Sequence, residues 1–196
     1  MAMDPREIPV GPLDIYLAAA VEAEDLVDDG DPAGNWHKLG TSGTENYTED
    51  GITITHSQRI RETRAVGATG PLKAIREEES LTIALTLMDL TLGELTYLLN
   101  KTAATSVSNG NTYDWLGMRR GPDVTVLSLI AKGESMSPEG AYDMQLYVPR
   151  VYQSGDMSPV FSKGENAGWS ATYSALEYQS AATAEQRFGR WSVQDG

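Results

Sequence analysis

Between Gly51 and Leu87 the chain alternates apolar and polar residues over a length that few globular proteins use. Ile52, Ile54, His56 and Ile60 fall on one face of an extended chain, and Thr53, Thr55, Ser57, Arg59 and Arg61 on the other. A glycine-spaced turn, AVGATGP, leads into a second run of the same kind. There Ile75, Leu81, Ile83, Leu85 and Leu87 share a face, opposite Arg76, Glu78, Ser80, Thr82, Ala84 and Thr86. Successive side chains of a strand point to opposite sides of the sheet, so a period of two is a β signal. Strands of about five or six residues are usual, and these two are far longer. The pattern predicts an extended hairpin whose distal part, near residues 58–80, runs beyond any core that one domain encloses. Its root is apolar on one side and small and polar on the other. Its outer rungs carry arginine and glutamate.

The rest of the chain reads as mainly β with one helix. Leu13-Asp14-Ile15-Tyr16-Leu17 alternates like a strand, while Ala18 to Ala20 suits a strand or a helix. The stretch VEAEDLVDDGDPAGN holds Glu22, Glu24, Asp25, Asp28, Asp29 and Asp31, and reads as a solvated acidic loop. Thr91 and Glu94 have capping-box spacing, with Leu90 and Leu95 placed as a hydrophobic staple and Asn100 suited to the far end. Leu92, Leu95, Leu98 and Leu99 give the helix its apolar face. Val124 to Ile130, Tyr142 to Val148 and Gly168 to Gln179 read as further strands. Phe188 and Trp191, in the tail FGRWSVQDG, call for a partner surface. A length of 196 residues fits a single domain, 1–196, with N-terminal and C-terminal arms.

Composition excludes several functions. The chain has no cysteine, which removes disulfide and thiol chemistry. A formal net charge of −13 is the wrong sign for nucleic-acid binding by counterion release. The longest apolar run, Ile15 to Val21, is far short of the roughly 20 residues that span a bilayer. The start, MAMDPREIPVGP, lacks the basic and apolar regions of a signal peptide. The expectation is a soluble protein without a membrane-spanning segment.

Catalytic equipment is equally sparse. A Ser–His pair would draw on His37 or His56, and His56 reads as a core or interface histidine on an apolar strand face. Ser135 sits in GESMS, which lacks the final glycine of a nucleophile elbow. Two histidines without cysteine make a poor zinc set. The aspartates of residues 25–31 lack calcium-loop spacing, with Val27 at a ligand position. Glu77 and Glu79, at i and i+2 of a strand, point the same way and could be cast as glycosidase carboxylates, but an exposed hairpin arm is a poor place for a sugar cleft. No catalytic residue, cofactor or metal is expected. The sequons at Asn46 and Asn100 read as accidental.

In order along the chain, PLDIYLA, NWHKLGTSG, the long hairpin ITITHSQRIRETRAVGATGPLKAIREEESLTIALTL, the helix DLTLGELTYLL directly after it, LYVPRVYQSGD, GWSATYSALEYQ and the FGRW ending resemble a major tail tube protein of long-tailed bacteriophages and related phage-like particles. The order, the spacing and the junction of hairpin and helix carry the likeness. It implies a β-sandwich or barrel with one flanking helix, and hexameric rings stacked into a tube. Each copy would lend strands to a shared barrel of about 24, with a backbone diameter near 48 Å that admits a DNA duplex. Thr53, Thr55, Ser57, Ser80, Thr82 and Thr86 would line the bore. Arg59, Arg61, Arg64, Lys73, Arg76, Glu77, Glu78 and Glu79 would contact the adjacent ring, with the acidic residues 22–31 of a neighbour as partners for the arginines.

Further implied partners are the tape-measure protein, which fills the bore first, and the tail terminator and distal tail proteins. DNA would pass without specific binding. The location would be the virion tail, after synthesis in the host bacterial cytoplasm. Alternatives are a related virion ring, such as a terminator or baseplate component, and a carbohydrate-binding β-sandwich.

Overall fold

The structure, a computed structural model, describes residues 13–24, 31–40, 46–88, 91–99, 105–109, 111–135, 142–159, 161, 163 and 167–193. The expected arm before residue 13, Asp25, Asp28 and Asp29 of the acidic stretch, Leu90 of the staple and Asn100 lie outside them.

The chain is mainly β. Its strands are β1 (Leu13–Ala19), β2 (His37–Lys38), β3 (Tyr47–Thr63), β4 (Lys73–Leu87), β5 (Thr105–Asn109), β6 (Asn111–Trp115), β7 (Leu127–Ser135), β8 (Tyr142–Gln153), β9 (Trp169–Ala175) and β10 (Arg190–Val193). One α-helix, α1 (Leu92–Leu98), follows the hairpin directly. Eight strands form one antiparallel sheet in the order β2-β1-β7-β8-β9-β4-β3, with β10 also on β8. β5 and β6 make a separate ribbon that the sequence pattern did not single out.

A single sheet encloses the core. β8 makes this possible by changing partners along its length. Met144–Tyr147 pair with β10, and Val151–Gln153 pair with β9, while β7 follows the other side past a bulge. The sheet curls until the ends of its strand order meet. The hydroxyl of Tyr47, on the last strand, accepts from the Ile15 amide of β1 at 3.0 Å and donates to the Leu39 carbonyl at 3.0 Å. Inside lie Ile15 and Leu17 of β1, Leu129 and Ala131 of β7, Leu146, Val148 and Val151 of β8, Ala171 and Tyr173 of β9, and Leu81, Ile83, Leu85 and Leu87 of β4. Full burial of each such leucine or isoleucine contributes about 1.5–3 kcal/mol. The alternating residues foreseen in β4 therefore do pack inward from Leu81 to Leu87.

Local boundaries differ from the sequence pattern where pairing decides them. Ala18 and Ala19 are strand, because they face Ser128 and Leu127 of β7. β7 starts at Leu127, not at Val124, and β8 runs on to Gln153. In α1 the Thr91 side chain accepts from the Glu94 amide at 3.3 Å, so the cap forms. The Glu94 carboxylate does not complete the box. It crosses to the β2 region, accepting from the Gly40 amide at 3.1 Å and lying 2.9 Å from His37 Nε2. The His37 ring stacks on Tyr97 at 4.6 Å, so one buried carboxylate ties the helix to the opposite edge of the sheet. Leu98 and Leu99 are buried beside it.

Glu24 is likewise not solvated. Its buried carboxylate takes Gln145 Nε2 at 2.8 Å, the Arg190 guanidinium and the Ser192 hydroxyl, and so fastens β10 to β8. Asp31 accepts from the Tyr16 hydroxyl. A loop that looks like a free acidic patch in sequence holds at least two structural carboxylates.

Candidate functional site

The sheet's outer face over β3, β4 and β9 is built almost wholly from hydroxyl side chains. The register sets Thr53 opposite Ala84, Thr55 opposite Thr82 and Ser57 opposite Ser80. Residues opposed in an antiparallel pair share a face, so the residues expected along a bore stand side by side. β9 extends the same face, since Thr82, Ala84 and Thr86 pair with Ser174, Thr172 and Ser170. Three hydroxyls come from each strand, and Ala84 is the one residue among them without one. Ser57 and Ser80 hydrogen-bond across the strands at 2.8 Å. Ser154, just past β8, bonds Ser174 at 2.6 Å and continues the pattern. Among the described side chains the face carries no charge over this area. Ser170, Thr172 and Ser174 were not among the expected bore residues. Their alternation is visible in WSATYSA, but only the pairing with β4 assigns them to this face.

Beyond the rung of His56 and Leu81 the hairpin leaves the core. Ser57 to Thr63 run on for about 23 Å at the usual strand rise. No described element packs beneath this ribbon, and its residues are exposed apart from Ile75 and Glu79. Ile60, Val66 and Leu72 are among the exposed large apolar residues.

A bulge in β4 reorganises the charges of this arm. Arg59 faces Glu78 and Ile60 faces Arg76, which leaves Glu77 as the extra residue. An extra residue inverts the alternation beyond it. Ile75 therefore stands opposite Arg61, on the hydroxyl side, and not in line with Leu81. Arg76 moves to the other face, where its Nε donates to Gln58 Oε1 at 2.9 Å and its Nη1 lies 3.6 Å from Glu79. Glu79 also lies 2.7 Å from His56 Nε2, so His56 is an exposed partner of a carboxylate and not a core histidine. Glu77 turns the other way, at 2.6 Å from Arg61 and 3.7 Å from Arg59. Glu77 and Glu79 thus serve different partners, and the shared orientation expected from i, i+2 spacing is lost. Arg59 also reaches Glu78 at 3.4 Å, and Arg64 reaches Glu62 at 3.0 Å. Lys73 makes no such pair among the described residues. The arm is a ribbon of largely self-neutralised charge.

Between the inner side of the arm root and the C-terminal segment lies an open groove of about 860 Å³. Ile52, Ile54, Leu81, Leu146, Phe188 and Trp191 give it apolar walls, and His56, Arg76, Glu79 and Arg187 also line it. The aromatic pair of the tail lines this open groove, and Trp191 stays half exposed.

Burial tunes several tyrosines. Desolvation pushes the Tyr47 hydroxyl well above the ordinary range, with Asp14 and Glu94 adding to it against the opposing bond from Ile15. Tyr173 is raised by full burial and then by the neighbouring Tyr47, Glu94 and Tyr97. These groups are held neutral and structural. Among the described residues no three His, Asp or Glu side chains converge as a metal site, and no helix is long and apolar enough to cross a membrane. Neither a protein-family model nor a curated protein matches the chain.

Proposed function

We propose that this chain is a self-assembling structural protein of the tail tube class, forming hexameric rings that stack into a conduit for a tape-measure protein and then DNA. The observation that carries the reading is the long β3–β4 arm, beneath which no described element packs. An isolated two-stranded ribbon is marginal in water, and a second copy is the cover that a self-assembling protein always has at hand. Two further features support it. β3 ends the strand order, and from Ile52 onward no described strand pairs with its far edge, a template for another strand. The face beside that edge is neutral and lined by hydroxyls.

A neutral hydroxyl wall suits passive transit. It offers no cation to hold phosphate, and its polar groups keep a water layer between wall and cargo. The net charge of −13 per copy then acts from elsewhere on the subunit, keeping the assembly soluble and discouraging nonspecific DNA binding. Arg59, Arg61, Arg64 and Arg76 lie on the part of the arm that would reach the adjacent ring. Their pairing with Glu62 and Glu77 to Glu79 leaves them soft, exchangeable partners for that contact. The role involves no catalytic residue, cofactor or metal. Its other partners would be the tail terminator and distal tail proteins, and its location the virion tail.

Negative-stain microscopy of the purified protein tests the reading. Rings or tubes with a central bore are expected. A monodisperse monomer at high concentration, with no filaments on addition of salt, overturns it.

A further inference from the structure

The open groove beside the arm root has apolar walls, and its charges are almost all spent. Of the charged side chains that line it, His56 and Arg76 hold Glu79, Arg187 lies 2.8 Å from Glu177, and Arg190 holds Glu24. Glu185 is the exception. It is exposed and makes no hydrogen bond or ion pair among the described residues. At about 860 Å³ the groove has room for several side chains. A small-molecule site encloses most of its ligand, whereas this groove lies open to solvent. Its shape suits a projecting segment of a macromolecule.

The arm carries matching chemistry at its far end. Its ladder continues to the rung of Thr63 and Lys73, and the tip beyond is a built turn. There the Ala68 amide donates to the Ala65 carbonyl at 3.2 Å, and the Leu72 amide to the Thr63 carbonyl at 2.8 Å. Val66 on this turn is fully exposed and Leu72 about two-thirds exposed. The arginines of the arm are paired within it, which leaves Lys73 as its one cation without a carboxylate among the described residues.

We infer that the arm tip of one copy docks in the groove of another, with Val66 and Leu72 against Phe188 and Trp191 and Lys73 beside Glu185. This rests on the assembly reading above and names the surface that receives the arm. A copy cannot fill its own groove. The groove lies against the arm root, and the paired ribbon carries the tip about 23 Å away from it. A second copy supplies apolar side chains for the apolar walls, and an unpaired cation for the unpaired carboxylate. Among the described carboxylates of residues 22–31, Glu22, Glu24 and Asp31 are already bound by Asn35, Arg190 and Tyr16. Tip and groove are different surfaces, so the contact is heterologous. Each copy that receives an arm still offers its own, and the contact propagates from copy to copy.

The test uses the absence of cysteine from the chain. Val66→Cys protein is mixed with Ala184→Cys protein, treated with a short bismaleimide and imaged by microscopy. Both positions are exposed, so neither change should disturb the fold. Thr53→Cys is the control partner, on the opposite face of the strand whose Ile52 and Ile54 line the groove. Cross-linked heterodimers should exceed the control about tenfold or more, because a docked pair raises the effective thiol concentration. Adding Lys73→Glu to the Val66→Cys protein should lower that excess several-fold, and Glu185→Lys in its partner should restore it. An excess unmoved by Lys73→Glu overturns the placement of Lys73 beside Glu185. Rings or tubes without the excess overturn the docking while leaving the assembly reading standing. Unassembled protein with no cross-link overturns both.

Discussion

Replacing Glu94 by alanine should cut the tie between α1 and the sheet and cost stability through a single polar group. Glu94 is 2% exposed, and its carboxylate accepts from the Gly40 amide and from His37. A hydrogen bond to a charged group contributes about 1.5–3 kcal/mol when its partner is otherwise buried. The Gly40 bond falls in that range. The His37 bond is worth less, about 1 kcal/mol, since the ring is partly open to water that can replace the carboxylate. Glu94→Ala should therefore lose about 2–4 kcal/mol, which for a domain of this size lowers Tm by roughly 5–15 °C. Glu94→Gln keeps an acceptor for Gly40 and should lose about half as much. Urea unfolding of unassembled protein, followed by far-UV circular dichroism, measures both. A cycle with His37→Ala should yield a coupling of about 1 kcal/mol. If Glu94→Ala unfolds at the parental midpoint, or if the cycle shows no coupling, the carboxylate is not the tie between helix and sheet.

Three other outcomes are expected. Tyr47 and Tyr173 have hydroxyls raised above the unfolded value of about 10, so the fold holds their protons more tightly; their contribution is complete below pH 10 and declines above it by about 1.4 kcal/mol per pH unit and tyrosine. Alkaline titration should show part of the tyrosinate absorbance appearing only as circular dichroism collapses, and full ionisation of a still-folded chain would contradict this. Gly189→Ala should release β10, because φ is +124° there and a Cβ would stand 2.4 Å from the Tyr147 carbonyl oxygen; hydrogen exchange should rise at residues 190–193 and stay unchanged in β7, and equal protection at β10 would refute it. Arg61→Glu with Arg64→Glu should leave folding within about 1 kcal/mol, as both arginines are more than half exposed in their ion pairs, yet block tube growth. Normal tubes from that double variant would remove the arm arginines from the ring-to-ring contact.

Much of the hairpin was legible in the sequence because alternation is a local property. Leu81 to Leu87 had to face one way and Thr82, Ala84 and Thr86 the other, whatever their partners. The helix after the hairpin was legible for the same reason, through Thr91 and the leucine spacing. Pairing is not local, and there the sequence fell short. The bulge at Glu77 exists only because Arg59 and Ile60 of β3 take Glu78 and Arg76 as partners, and it reverses the side on which Ile75 and Arg76 stand. Glu94 fitted a capping box, but a carboxylate buried in a low-dielectric interior goes where several donors converge, and Gly40 and His37 are brought there by β2. Ser170, Thr172 and Ser174 were plain polar residues until β9 docked on β4.

What the sequence by itself determined was therefore the period of each strand, the chemistry of its two sides and the excess length of one hairpin. The tertiary structure decided which sides coincide and which charges are consumed inside the chain. The physical reason is that side-chain direction follows from the backbone within a few residues, whereas register and burial are settled by segments up to a hundred or more positions away, as when Glu24 fastens Arg190.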